Sequence, residues 1–372
     1  MVANHSCVRV HKMGLPLIEG GQHKVHLIAH RHASFSEAYS TFGHWFDLGN
    51  LASFIKLHAP NTDVFHCHNE PSFFVTLIKE MCDVPVILDV HDSFLARVTP
   101  EEKEKNPEVV RVSIEERNNF QLADALVFPS RPFADLIINE FKLTQPHIIL
   151  PSYLPRRLYR YNAADWMGGL VYEGKIQMDV TSKASFGFRY CDYKDFAQKA
   201  HDIGVKFHLY AGRNNEDKEF MKAYNDIAFV HPPYVYDTLL KNIGRHDWGL
   251  VGNLNYTREW EVAMPNKLFD YVAAGVPIVA INAKECGKFV REHGIGIEVK
   301  NLEELFERWE EHTKIRKVLL KKRQQFTMDN NLQPLKDLYC SLTSVRNSYT
   351  DLSTPISDDD FERLFTKEDN DK

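Results

Sequence analysis

MPNKLFDYVAAGVPIVAI, residues 264–281, predicts a short helix that leads directly into a buried strand. Pro265 suits the first helical turn, because its missing N–H would have no partner there. Gly275 suits the left-handed position just past the helix end. The helix is therefore expected to be about ten residues long.

Three polar side chains stand out on this helix. Asn266 and Asp270 lie four residues apart and share a face, with Lys267 beside them, whereas Leu268 and Tyr271 fall at helical spacing on a packed face. The helix N-terminus also presents free N–H groups and the positive end of the macrodipole. Together these groups predict a site for a diphosphate and a sugar hydroxyl. Because the shared face is polar, replacing Asp270 is expected to cost little stability.

The same run, followed by GKFVREHGIGIEV at 287–299, resembles the donor-binding segment of GT-B glycosyltransferases of family 4. The family pattern is P-x-K-hydrophobic-[FY]-E-[YA]-hydrophobic-A-x-G-x-P-V-[VI], and the glycines and prolines of this chain fall in its places. The resemblance implies an α/β fold of two Rossmann-like, doubly wound parallel-sheet domains that face each other across a cleft. The alternative is an ordinary Rossmann-like helix and strand with surface polar residues.

Length and composition agree with two globular domains. The chain has 372 residues, of which 44% are hydrophobic and 26% charged. A formal net charge of −6 argues against a general nucleic-acid binder. No signal-like segment follows Met1, and the longest uncharged run, 271–281, is far shorter than the roughly 20 residues of a membrane span. A cytoplasmic protein is expected, with contact at the inner face of the membrane left open. Scattered cysteines suit a reducing compartment: they are Cys7, Cys67, Cys82, Cys191, Cys286 and Cys340.

Strands and helices alternate along both halves of the chain, which predicts two parallel sheets. The predicted strands are 24–29, 63–68, 85–90, 125–129 and 147–150, then 169–173, 206–211, 227–231, 249–252, 277–281 and 297–299. The predicted helices of the first half are 8–18, 48–58, 71–81, 108–122 and 132–141. Charged helices are predicted at 302–322 and 332–345, and NLQPLKDLYCSL in the second resembles the closing helix of GT-B proteins.

These elements predict five regions. They are an acceptor-side domain at 1–150, a connection at 151–168, a donor domain at 169–325, the closing helix at 326–348 and a disordered acidic tail at 349–372. The first four residues, MVAN, are expected to be the carboxyl end of a truncated first strand, since such strands normally run about five or six residues. The turn after it, with His5, is expected in the cleft.

Polar residues also follow two apolar strands of the first half. They lie in DVFHCHNEP, residues 63–71, and VILDVHDSF, residues 86–94. Sheet enzymes place their chemistry at the carboxyl ends of strands, so His68, His91 and Asp92 are candidate cleft residues. Both segments resemble the same family, in which the histidine after the second strand lies beside the anomeric centre of the sugar. The resemblance assigns that role to His91.

A metal site is the alternative for these histidines. His66 and His68 project from one face of a strand, and Asp89 and Asp92 could add ligands, as in amidohydrolase-type enzymes. Those enzymes are eight-stranded barrels, however, whereas this chain predicts two α/β units. We therefore expect no metal and no cofactor other than the nucleotide-sugar co-substrate. Cationic side chains and the helix N-terminus would neutralise the leaving diphosphate.

The chain departs from the family pattern at its first glutamate. Many members carry two glutamates separated by seven residues, the second at the position of Asp270. Here the first is absent or displaced, with Glu259 and Glu261 nearby but out of register. Because AMPNK fits a branch of the family that tolerates this change, activity is expected to be retained, and Glu261 remains a cleft candidate.

The phosphate-binding residues of the family are also altered. EGKI supplies Lys175 as one cation, although an ordinary surface lysine is an equal alternative, and the second cation stays open between Lys183 and Arg189. The turn FVHPPY, residues 229–234, is expected to line the base pocket through His231 and Tyr234.

The resulting expectation is a hexosyltransferase that moves a hexose from a nucleotide-diphosphate sugar to a hydroxyl of a glycan, lipid-linked or small-molecule acceptor. Asp270 would hold the ribose, and Asn266 and Lys267 the diphosphate or sugar. The resemblance implies retention of anomeric configuration, and inversion stays open. A UDP-sugar 2-epimerase of the same fold and a non-catalytic sugar-nucleotide-binding partner are the alternatives. The oligomeric state stays open, and no nucleic-acid partner is expected.

Overall fold

The computed structural model describes residues 1–4, 8–30, 35–69, 71–98, 107–159, 165–176, 191–212, 218–254 and 258–347. Two sheets form within these residues, and every strand pair in both is parallel. The first sheet contains β1 (Val2–Ala3), β2 (His26–Ala29), β3 (Thr41–His44), β4 (Phe65–His68), β5 (Val86–Asp89), β6 (Ala125–Phe128) and β7 (His147–Ile149). The second contains β8 (Leu170–Glu173), β9 (Phe207–Tyr210), β10 (Phe229–Val230), β11 (Trp248–Gly252), β12 (Ile278–Ile281) and β13 (Gly296–Val299).

The strand orders are those of two doubly wound domains. The first sheet runs β3-β2-β1-β4-β5-β6-β7 and the second β10-β9-β8-β11-β12-β13. In each, the chain starts near the middle and builds outward in both directions, so the order reverses beside the first strand. Ligands of such sheets bind at the carboxyl ends of the strands next to that point. The two-domain fold class inferred from sequence is thereby confirmed.

Helices cover both faces of each sheet. Those of the first half are α1 (Val8–Glu19), α2 (Leu48–His58), α3 (Phe74–Met81), α4 (Phe94–Arg97), α5 (Pro107–Leu122) and α6 (Arg131–Phe141). Those of the second are α7 (Lys194–Asp202), α8 (Lys218–Tyr224), α9 (Tyr236–Ile243), α10 (Arg258–Val262), α11 (Asn266–Ala274), α12 (Lys284–His293), α13 (Leu302–Glu307), α14 (Glu311–Lys322), α15 (Met328–Asn331) and α16 (Gln333–Asn347). None of the helices in the described ranges has the length and apolar character that a bilayer crossing requires.

The first strand is short but central. Val2 pairs with Ile28 of β2 on one side and with Cys67 of β4 on the other. The amino group of Met1 donates to the carbonyl oxygen of His26 at 2.7 Å, which extends the contact by one residue. MVAN therefore does form the strand expected from its sequence. The turn with His5 lies outside the described residues.

The last helices return to the first domain. Met328, Leu332, Leu335 and Leu338 are buried in one apolar cluster with Val10 and other residues of the N-terminal sheet and α1. The chain after the second sheet thus packs on the first domain, as the resemblance of its closing segment implied. The tail from residue 348 lies outside the described residues.

Several elements differ from the sequence expectation, among them the short helices α4 and α15, which were not predicted. Strand β3 was not predicted, because an edge strand with only one buried residue, Gly43, carries no apolar run. The predicted helix 302–322 is in fact two helices, α13 and α14, which are separated by Arg308–Glu310. Charged residues with high helical propensity fill the whole segment, so its sequence gives no sign of the break.

Candidate functional site

A cavity of about 360 Å³ lies between the two domains, at the carboxyl ends of their strands. It is formed by α1 and the loops after β5 and β6 on one side, and by α9, α10, α11 and the end of β8 on the other. The lining includes Val8, His91, Asp92, Phe133 and Ser152 from the first half of the chain, and Glu173, Gly174, Glu259, Trp260, Asn266, Lys267 and Asp270 from the second.

Helix α11 brings its N-terminus to this cavity. Pro265 is its N-cap residue, with extended backbone, and the helix ends at Gly275, whose φ of 74° is the left-handed conformation that glycine adopts without strain. The helix is anchored by Tyr271, whose hydroxyl donates to the carbonyl oxygen of Val171 at 3.2 Å. Gly249 of β11 makes room for this ring, since a Cβ there would lie 2.5 Å from it. The N-terminal residues of α11, Pro265 to Lys267, line the cavity.

Asp270 is buried between the domains instead of lying on a solvated face. Its side chain accepts from the ammonium of Lys12 at 2.9 Å and from the hydroxyl of Tyr236 at 2.6 Å. The same ammonium donates to Asn266 at 3.2 Å. Lys12 belongs to α1 and is completely buried, and burial lowers its pKa although Asp270 opposes the shift. Asp270 is 3% exposed, so the expectation that its loss would cost little stability is wrong.

A second carboxyl group lies beside Asp270. Glu173 is the last residue of β8, lines the cavity and is buried. Its pKa is raised to about 8, first by burial and then by the carboxylate of Asp270, whereas Lys267 and Lys12 oppose the rise. Two adjacent carboxyl groups disfavour a second negative charge, so Glu173 is protonated near neutral pH.

This protonation predicts a pH dependence of stability. The folded-state pKa of Glu173 is above its unfolded value, so its contribution to stability is complete below about pH 4.5 and is lost as the pH rises to about 8. Glu173→Gln keeps a neutral, isosteric side chain there. We therefore expect the thermal unfolding midpoint of the wild type to fall more across this range than that of the variant. Parallel profiles of the two proteins would contradict the assignment.

Lys267 is held by aromatic rings. Its Nζ lies 4.8 Å from the ring centre of Tyr172 and 5.7 Å from that of Trp260. Gly174 leaves room for this side chain, because a Cβ there would come within 3.3 Å of Lys267 Cε. Cation–π contacts of this kind orient an ammonium without neutralising its charge. Lys267 thus places a positive charge at the cavity beside the N-terminus of α11.

His91 lies across the cavity and is oriented by a buried carboxylate. Its Nδ1 is 3.2 Å from Oδ2 of Asp89, which also accepts from Nδ1 of His68 at 2.9 Å and from Nε of Arg9 at 2.7 Å. Burial alone would raise the pKa of Asp89, but Arg9 and the two histidines hold it well below its usual value. An ionised carboxylate only accepts hydrogen bonds, so Nδ1 of His91 carries a proton. Nε2 is the ring nitrogen whose protonation Asp89 does not determine.

The acidic residues beside His91 share one arginine. Arg97 in α4 lies 3.0 Å from Asp92 and 3.9 Å from Glu259. Glu259 lines the cavity, but Glu261 does not. From the sequence, Glu259 was noted only as out of register with the first glutamate of the family pattern. That register is a count of residues along the chain, and such a count does not account for the turn between α10 and α11.

The remaining candidates lie outside the cavity lining. Lys175 is exposed just beyond Gly174, and His68 is buried behind His91. His231 and Tyr234 follow β10, where the ring of His231 stacks on Tyr210 with centres 4.2 Å apart. His5 and the two alternative phosphate cations, Lys183 and Arg189, are outside the described residues.

Sequence reasoning missed Lys12, Glu173 and Trp260. Glu173 carried a usable signal, since it ends the apolar strand LVYE and strand ends are where such sheets place polar groups. Lys12 carried none, because its partner Asp270 is 258 residues away.

Among the residues that the structure describes, two side-chain clusters have the composition of a metal site. One is His68, Asp89 and His91, and the other is His208, His231 and His246. In the first, the guanidinium of Arg9 already occupies both carboxylate oxygens of Asp89. A resident cation there argues against a metal ion in that cluster.

Comparison with known proteins agrees with this architecture. Residues 189–328 match the family model described as Glucosyltransferase 3-like, C-terminal domain. No curated protein matches the chain. Among solved structures, sucrose-phosphate synthase from Thermosynechococcus elongatus superposes with a TM-score of 0.67 at 12% identity, over 92% of this chain and 98% of that chain.

Two further structures share the fold. The Anabaena protein HepE in complex with UDP gives a TM-score of 0.58 at 12% identity, over 91% of this chain and 98% of that chain. A glycosyltransferase from Rickettsia africae gives a TM-score of 0.59 at 8% identity, over 92% of this chain and 98% of that chain. The chain therefore has the fold of the GT-B glycosyltransferases, and its residues 189–328 match a C-terminal domain of the Glucosyltransferase 3-like type.

Proposed function

We propose that the protein transfers a hexose from a nucleotide-diphosphate sugar to a hydroxyl group of an acceptor. The observation that carries this proposal is the interdomain cavity, where the N-terminus of α11 and the ammonium of Lys267 converge. A helix N-terminus with an adjacent cation is suited to a diphosphate. HepE, which has the same fold, has been solved with UDP, with UDP and glucose, and with UDP-glucose.

The roles follow from the position of each side chain. Lys267 and the N–H groups of α11 bind the diphosphate, and Asn266 adds a hydrogen bond to it or to the sugar. Asp270 accepts from the ribose hydroxyls, which requires that the ribose displace the ammonium of Lys12. His91 contacts the sugar from the opposite wall of the cavity. Lys175, His231 and Tyr234 are the further donor contacts that the sequence resemblance supports.

The reaction exchanges the glycosyl–phosphate bond of the donor for a glycosidic bond to the acceptor. The bond from the anomeric carbon to the diphosphate oxygen breaks, the acceptor oxygen bonds to the anomeric carbon, and the acceptor proton passes to the leaving diphosphate. Lys267 and the dipole of α11 stabilise the negative charge that develops on the leaving group, so the transfer proceeds without a metal ion. The family resemblance supports retention of configuration.

Donor binding and turnover test the proposal directly. A thermal-shift screen of nucleotide sugars should identify the donor, because a ligand that binds only the folded state raises the unfolding midpoint. Incubation of that donor with candidate acceptors should release nucleoside diphosphate and form a glycoside. Formation of a 2-epimer from UDP-GlcNAc alone would establish the epimerase alternative instead. Binding without donor consumption under any acceptor condition would indicate a non-catalytic partner.

Lys267→Ala should weaken the binding of nucleoside diphosphates more than that of monophosphates. The ammonium of Lys267 lies at the N-terminus of α11, where the second phosphate would sit, and a hydrogen bond to a charged group contributes about 1.5–3 kcal/mol. Calorimetric titration of both nucleotides against wild type and variant would measure the difference. Lys284→Ala, an exposed lysine at the start of α12, is the matched control. Equal losses for both nucleotides would remove the diphosphate role.

A further inference from the structure

Three histidines of the C-terminal domain lie together outside the interdomain cavity. His208 belongs to β9, His231 follows β10 directly, and His246 precedes β11. One ring nitrogen of each lies within 4.8 Å of the other two. These residues are far apart in sequence and belong to three separate segments, so the fold and not a local motif brings them together.

Hydrogen bonds determine which nitrogen of His246 carries a lone pair. Its Nδ1 lies 2.7 Å from the carbonyl oxygen of Gly168, which can only accept, so Nδ1 bears the proton. Nε2 then faces the cluster with its lone pair, 3.0 Å from the hydroxyl of Tyr210. Histidines that bind metals almost always donate their other ring N–H to a carboxylate, a backbone carbonyl or water, and Gly168 supplies such a carbonyl here.

The other two histidines face each other at metal-ligand spacing. Nδ1 of His208 and Nε2 of His231 are 3.0 Å apart. Two nitrogens on a tetrahedral zinc ion, each bonded at 2.0–2.1 Å, are separated by roughly 3.3 Å. The ring nitrogen that His208 turns towards His231 is therefore Nδ1.

The position of the neighbouring arginine is compatible with a bound metal ion. The guanidinium of Arg245 points away, since it donates to Asp165 and Asn242.

We propose that His208, His231 and His246 bind a zinc ion, with the fourth coordination position open to water. Three imidazoles are a ligand set that zinc accepts in tetrahedral geometry. The ion would fix β10, an edge strand of two residues, and the loop that follows it to the body of the sheet. Its role is therefore structural, and the metal titration that tests it uses no nucleotide sugar.

Metal titration of the full chain tests this proposal. After treatment with a chelator and dialysis, the wild type should bind one equivalent of Zn²⁺, and its unfolding midpoint should rise. Co²⁺ in its place should show the visible absorption of a tetrahedral site. His231→Gln should lose more than the roughly 10–100-fold in affinity that removal of a second-shell partner costs. His201→Gln, an exposed histidine of α7, should bind as the wild type does.

A measurement on the wild type covers the case in which His231→Gln fails to fold. X-ray absorption of the zinc-loaded protein should show three imidazole nitrogens at about 2.0–2.1 Å. A carboxylate and two imidazoles would instead place the ion at His68, Asp89 and His91, which would overturn the proposal. Absence of Zn²⁺ binding by the wild type, or equal affinity in folded His231→Gln, would overturn it as well.

Discussion

His91→Ala should lower turnover by roughly 10²–10³-fold while leaving the affinity for the nucleoside diphosphate unchanged. Asp89 fixes the tautomer of His91, so that its Nε2 is presented in one orientation at the wall of the cavity opposite α11. A hydrogen bond that strengthens in the transition state affects kcat, whereas the nucleotide contacts that we propose lie on α11 and are not changed by this substitution. Steady-state kinetics and calorimetry on the same preparations measure the two quantities.

The control for this variant is His147→Ala, an exposed histidine on edge strand β7 of the same domain. It should match the wild type in both measurements. Turnover of His91→Ala close to the wild-type value would make His91 a structural residue of the Asp89 network. A parallel loss of nucleotide affinity would place it on the nucleotide instead of the sugar.

Much of the fold was accessible from the sequence because its signals are local. Buried parallel strands appear as apolar runs, and the ends of α11 are marked by Pro265 and Gly275. The exception, β3, is an edge strand whose burial is confined to Gly43. An edge strand is defined by its neighbour and not by its own pattern, so Thr41–His44 carried no signal.

The candidate site was accessible only in part. The residues that the sequence singled out on α11 and after β5 do line one cavity, because the carboxyl ends of parallel strands meet at one edge. Their partners were not accessible. Arg9 with Asp89 and Lys12 with Asp270 join residues 80 and 258 positions apart, and pairing over such distances leaves no periodicity. The resemblance to family 4 in particular rests on the sequence pattern alone.

Both of these ion pairs begin on α1. Arg9 and Lys12 are completely buried on the helix that follows the first strand. Arg9 fixes the carboxylate that orients His91, whereas Lys12 crosses to the other domain and holds Asp270. One helix thus supports the wall of the cavity that carries His91 and also links the two domains at Asp270. Nucleotide binding and domain contact would then compete for the same carboxylate.

Asp270→Ala should lower the free energy of unfolding by about 3–5 kcal/mol, because it leaves the ammonium of Lys12 buried with a single hydrogen-bond partner, Asn266, among the described residues. Urea unfolding followed by circular dichroism would measure the loss. The double variant Lys12→Met with Asp270→Leu removes both charges and fills their volume, so it should recover most of the stability.

The double variant separates the ion pair from the general packing of α11. If Asp270 matters only for its volume, Lys12→Met would not rescue the protein, and the double variant would be no more stable than Asp270→Ala. If the buried charge is what matters, the double variant should be clearly more stable than Asp270→Ala, which would indicate a large coupling free energy between positions 12 and 270. Nucleotide binding should remain weak in the double variant in either case, since the carboxylate proposed to accept from the ribose is gone. Restored stability without restored binding would therefore assign both roles to Asp270.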